Sequence, residues 1–189
     1  MLHSNKALII YLLKFASVFC VLYFGTIIVI GLSTPENYYS SFVANYLDYV
    51  SLLRSSYLNT CKGLMSVLHY QTTITDNYTL YINHSNGIRL VYTCLAYGIM
   101  SFWAAFILAN KGTVKRKIIW IFAGLLLVWC INVIRLLLVL IAMNKNWPMP
   151  LGFDHHTWFN IVTYGFIFLM IYFYDRSTSK HSKTKSGIS

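Results

Sequence analysis

Three kinds of side chain in this sequence suit one another chemically: a thiol at Cys94, a guanidinium at Arg135, and the imidazoles of His155 and His156. A thiol attacks a carbonyl only as its thiolate, a form that a nearby cation favours. Arg135 is such a cation, and a guanidinium can also stabilise the oxyanion of a tetrahedral intermediate. A histidine can take the thiol proton and later hand it to a leaving amine. The set therefore suits nucleophilic acyl transfer, with peptide-bond cleavage as the result. Asn132 precedes Arg135 by three residues and shares its helical face. His156 lines up with Asn160 and Thr163, whereas His155 lines up with Phe159 and Val162, so His156 is the better base. Asp154 can orient or charge-stabilise either imidazole.

These residues need elements to position them. Arg135 lies inside the apolar run Ile118 to Met143, long enough to cross a bilayer. A guanidinium near the centre of a membrane helix costs about 2.5–3.5 kcal/mol on insertion scales, which makes it a functional candidate by default. Cys94 and the two histidines begin two other apolar runs, Val91 to Ala109 and Thr157 to Tyr174. A further run, Leu8 to Leu32, is too long for a signal-peptide core and reads as a retained helix. The chain has 189 residues, is 57% apolar and carries only five acidic side chains, a composition of polytopic membrane proteins.

The net charge is +10, and its distribution matters more than its size. Lys6, the cluster Lys111, Lys115, Arg116 and Lys117, and the tail residues Lys180, Lys183 and Lys185 all flank apolar runs. The positive-inside rule then gives four spans with both termini in the cytoplasm. No basic face on a soluble fold is visible, which argues against a nucleic-acid partner. In this topology Cys94 and the histidines sit at outer helix ends. Arg135 precedes the outer end at Met143 by eight residues, or about 12 Å of rise, within reach of snorkelling. Cys94, Gly98, Ser101 and Ala105 form a small-residue stripe suited to close helix packing.

The expected fold is an all-α integral membrane protein of about four transmembrane helices, with an amphipathic helix and a small hairpin on the outer side. Residues 1–32 form the first helix, 33–90 the outer segment, 91–174 a catalytic three-helix core and 175–189 a basic cytoplasmic tail. In the outer segment, Phe42 to Tyr70 has helical apolar spacing broken by Asp48, Arg54 and Lys62. Thr72 to Tyr92 reads as extended, with a turn at Ser85–Asn86–Gly87. Cys20 and Cys130 lie inside apolar runs and read as packing residues. No CxxC or Cys/His spacing is present, so neither a metal nor a cofactor is expected. Cys61 and Cys94 both face outward, and a disulfide between them would remove the nucleophile.

At these residues the chain resembles the exosortase/archaeosortase family of membrane-embedded cysteine transpeptidases. The resemblance rests on an outer-end cysteine leading into a span (TCLAYGIMSFW), an NxxR element in the next (INVIRLLL), and a histidine at the outer start of the last (DHHTWFNIVTYG). It covers Ile88 to Tyr174. Many members have Gly two residues after the cysteine where this chain has Ala96, and many have more spans before it. The resemblance implies a nucleophile at Cys94, an arginine at Arg135 and a histidine at His156 or His155. It also implies substrates that are exported proteins ending in a short motif, a membrane helix and a basic end. The enzyme would cut at the motif through an acyl-thioester and transfer the new C-terminus to an acceptor at the outer face of the cytoplasmic membrane. Two competing readings are a non-catalytic scaffold in envelope or polysaccharide assembly and a small transporter that uses Arg135 as an anion site. Both would tolerate loss of the Cys94 thiol.

Overall fold

Two of the apolar runs form helices long and apolar enough to cross a bilayer: Lys6–Ser33, within α1 (Leu2–Ser33), and α5 (Val114–Asn144). The structure is a computed structural model describing residues 2–34, 38–82, 86–145 and 155–186, with side chains at 6–34, 38–82, 87–145 and 161–177. Unbroken apolar sequence sustains both helices, and α1 stops just before Pro35, which disfavours helix in the residue preceding it. Much of their surface is apolar and uncovered, including Leu8, Ile10, Leu13 and Val21 on α1 and Ile118, Phe122 and Leu126 on α5. Apolar exposure on this scale marks a surface meant for lipid or a partner.

The run expected as the second span divides in two. A 3₁₀ turn covers Tyr92–Leu95, Ala96 is left-handed (φ 58, ψ 19), and α4 begins only at Tyr97 and ends at Ala109. With 13 residues, α4 rises about 20 Å, short of a hydrocarbon core of about 30 Å. The physical reason lies in the carbonyls. Those of Cys94 and Leu95 accept from the side chains of Asn132 and Tyr57, so no helical turn is needed to satisfy them. The fourth apolar run lies in α6 (His155–Ser186). The basic segment expected as a separate tail continues that helix as far as Ser186, since neither Gly nor Pro interrupts it between Phe166 and Ser186.

The outer segment supplies the main core. After the short α2 (Ser41–Tyr46), Asp48 caps α3 (Tyr49–Val67) by accepting from the Ser51 N–H at 3.0 Å. One face of α3 buries Val50, Tyr57, Leu58, Cys61 and Met65. That face packs on Leu80, Ile82, Leu90 and Leu95 and on Val133, Leu136 and Leu140 of α5. The expected hairpin is a three-stranded antiparallel sheet in the order β1 (Thr72–Thr75), β2 (Thr79–Ile82), β3 (Asn86–Arg89). Asn86 and Gly87, expected in a turn, pair instead with Ile82 and Tyr81 as strand residues. The Tyr81 ring covers Gly87 so closely that a Cβ there would run into it. The added strand arises from a turn whose Asp76 and Asn77 take φ 58 and 55, a conformation these two residue types tolerate.

A second cluster joins the opposite ends of the helices. Trp103 and Ile107 of α4 pack against Met170 and Tyr174 of α6. The Trp103 indole N–H donates to the Trp120 carbonyl at 2.9 Å. Gly124 lets the indole approach, because a Cβ at that position would overlap it.

Candidate active site around the Cys94 turn

Cys94 is the third residue of the 3₁₀ turn and is 8% exposed. Its N–H donates to the Val91 carbonyl at 2.9 Å, closing the turn. Its carbonyl accepts from the Asn132 side-chain amide at 2.8 Å, which fastens the turn to α5. Asn132 is itself buried, so this bond satisfies a polar group that would otherwise be costly. Tyr57 of α3 donates its hydroxyl to the Leu95 carbonyl at 3.4 Å from the other side. The turn is therefore held between two helices by side-chain donors.

Arg135 stands one turn beyond Asn132 on α5, about 4.5 Å further along the axis, and is half-buried. The structure thus joins the Cys94 turn to the helix that carries the arginine. The histidines are approached through the far end of the bundle. Arg116, in the first turn of α5, donates to the Tyr174 carbonyl at 3.3 Å and to the Ser177 hydroxyl at 2.7 Å. From Arg116 to Arg135 is about 29 Å of helix, and from Tyr174 back to His156 is about 27 Å. The two stretches are of similar length along their helices. The side chains of His155, His156 and Asn160, and the whole of Asp154, lie outside the described residues.

Cys61 has a different role. Cys61 and Cys94 are both free thiols, so the alternative disulfide is not formed. Burial pushes the Cys61 thiol up to about 12, which keeps it protonated and unreactive at neutral pH. Its Sγ donates to the Val133 carbonyl at 4.0 Å. Among the described residues, no group of three His, Cys, Asp or Glu side chains could hold a metal ion.

Two residues near the turn escape a sequence reading, Tyr57 and Arg54. Arg54 looks like a polar interruption of an amphipathic helix, yet it is buried. The series Val50, Arg54, Tyr57, Leu58, Cys61 and Met65 follows helical spacing, so Arg54 falls on the core face and that register could have revealed it. Along α4, an apolar cleft of about 430 Å³ opens between α1, α4 and α6, lined by Phe19, Gly98, Phe102, Tyr164, Ile167 and Phe168. Gly98 follows Cys94 by four residues in the chain. Comparison of the chain with protein-family models, with curated proteins and with solved structures gives no match in any of the three.

Proposed function

We propose that this chain is a membrane-embedded cysteine transpeptidase of the exosortase type. In this reading it crosses the cytoplasmic membrane four times, the 3₁₀ turn and α4 together making the second crossing, with both termini inside and the site facing outward. It cleaves the C-terminal sorting signals of exported proteins and transfers the new C-terminus to an acceptor. The observation that carries the proposal is the hydrogen bond from Asn132 to the Cys94 carbonyl. It links the two sequence elements, TCLAYG and INVIR, on which the resemblance rests, although they are 38 residues apart. The apolar cleft beside Gly98 supports it further, as a place for the substrate's membrane helix to approach laterally.

The chemistry balances without a metal or cofactor. His156, or His155 in its place, takes the proton from the Cys94 thiol. The thiolate attacks the scissile carbonyl, and Arg135 stabilises the oxyanion that forms. Collapse of the intermediate breaks the C–N bond, and the imidazolium protonates the departing amine. The acyl-thioester on Cys94 is then attacked by the acceptor nucleophile, whose proton passes to the imidazole. The departing thiolate is reprotonated in turn.

The test is mass spectrometry of Cys94 from native membranes. A hydroxylamine-labile acyl adduct is expected in the unaltered protein, with loss of processing in Cys94→Ala. Normal processing in Cys94→Ala would sink the proposal and favour a scaffold. Transport lost in Arg135→Ala but kept in Cys94→Ala would favour a transporter.

A further inference from the structure

The mechanism above leaves one buried cation unused. Arg54 is 3% exposed, and its guanidinium carbon lies 4.3 Å from the Tyr78 ring centroid and 4.4 Å from that of Tyr92. Two aromatic rings thus lie against the guanidinium, an attractive arrangement for a cation. Its edge is another matter. Nε and Nη2 are buried and, among the described residues, have no hydrogen-bond partner. Asp48, Asp76 and Asp175 are the acidic side chains among those described, and none of them reaches these nitrogens. Asp48 is committed to the Ser51 N–H. A buried charge with unpaired donors is costly, and proteins seldom keep one without a use.

The two orphan nitrogens are adjacent and lie on the same edge of the guanidinium. That edge is a rigid fork whose spacing matches the two oxygens of a carboxylate. With two rings packed against the cation, a flat group in the guanidinium plane needs less room than a tetrahedral phosphate. A single cation also balances the single charge of a carboxylate. Burial keeps the fork from lipid headgroups. Tyr92 opens the 3₁₀ turn that carries Cys94, and its hydroxyl is tied to the Thr34 hydroxyl at 3.1 Å. Tyr78, 37% exposed, is the more open of the two residues.

We infer that Arg54, flanked by Tyr78 and Tyr92, is a carboxylate-binding site adjoining the Cys94 turn. That the carboxylate belongs to the polypeptide being cut rests on the transpeptidase reading. It is then either an acidic side chain of the recognised segment or the chain end left by cleavage.

The test uses the full chain in lipid nanodiscs, in a Cys94→Ala background so that binding is read without reaction. The side-chain source is probed with N-acetylaspartate α-amide, the chain-end source with N-acetylalanine. N-acetylasparagine amide and inorganic phosphate are the controls. One carboxylate probe should raise the melting temperature by roughly 3–5 °C at tenfold excess over Kd, and the stronger probe names the source. Neither control should do so, and Arg54→Met should abolish the response. Because the guanidinium edge is unpaired, Arg54→Met without ligand should melt no lower than the parent. A response equal for phosphate, or unchanged in Arg54→Met, would overturn the assignment. So would an Arg54→Met variant that melts lower while the parent ignores both probes, which would make Arg54 a structural pin. Glu36→Gln should leave the response unchanged, and a response that appears only in Glu36→Gln would make the partner internal and overturn the proposal. A carboxylate response with no thioester on Cys94 in the unaltered chain would keep this site and reject the transpeptidase. A thioester with no carboxylate response would do the reverse.

Discussion

Ala96 carries strain where the chemistry is proposed. Its left-handed backbone, φ 58 and ψ 19, places a Cβ where only glycine is at ease. Ala96→Gly should therefore stabilise the protein by about 1 kcal/mol, and Ala96→Val should destabilise it further, both read by thermal unfolding in detergent. An unchanged melting temperature in Ala96→Gly would mean that the turn relaxes in solution. Asn132→Leu should leave the buried Cys94 carbonyl without its donor, at a cost of about 1–3 kcal/mol, and should slow processing. Cys61 makes a pH prediction of definite sign. Its thiol is raised by burial from 9.0 to about 12, so the unfolded chain releases that proton first as pH rises. The stabilising contribution is full below pH 9 and is lost as the pH climbs toward about 12. Denaturant midpoints should fall over that window, and less so in Cys61→Ala.

Among the elements, the packing of α4 on α5 is set by one missing side chain. The Trp103 indole occupies the space a Cβ at Gly124 would need and donates to the Trp120 carbonyl. Gly124→Val should cost about 1–3 kcal/mol by overpacking. Trp103→Leu in the same chain should recover part of that loss, and a double-mutant cycle on unfolding free energies would measure the coupling. This contact also separates what sequence reveals from what it hides. The long helices were legible because an unbroken apolar run is a local property. The 3₁₀ turn at Cys94 was not, because the donors that replace its helical bonds come from Tyr57 and Asn132, distant in sequence. The first strand, Thr72–Thr75, merges in the sequence with the extended stretch after it, because Asp76–Asn77 is a weaker turn signal than a pair containing glycine. Arg54 was missed because charge outweighed register. Of the candidate site, the thiol and the arginine's helix were readable as a pair from their order in the chain, and the aromatic pair flanking Arg54 was not.

The whole molecule has two unlike ends. Phe15 meets Phe102 and Tyr23 stacks on Tyr97, so α1 runs antiparallel to α4 and its start lies toward Ala109. Arg116 brings the later part of α6 to the same end through Tyr174 and Ser177. Lys111, Lys115 and Lys117 therefore gather at the end from which α6 continues into its basic segment. The opposite end carries α3, the sheet and the Cys94 turn, and apolar helix surface lies between. In the proposed reading, the positive-inside rule puts this basic end in the cytoplasm and the polar cap outside. Single cysteines in a cysteine-free background test this directly. Tyr38 is 90% exposed on the cap side, and Lys111 lies in the exposed basic loop. In intact cells a membrane-impermeant maleimide should label Tyr38→Cys and spare Lys111→Cys, with the latter labelled only after permeabilisation. The reverse pattern would put the Cys94 turn in the cytoplasm, out of reach of any exported substrate. Equal labelling of both would mean that the apolar belt does not span a membrane.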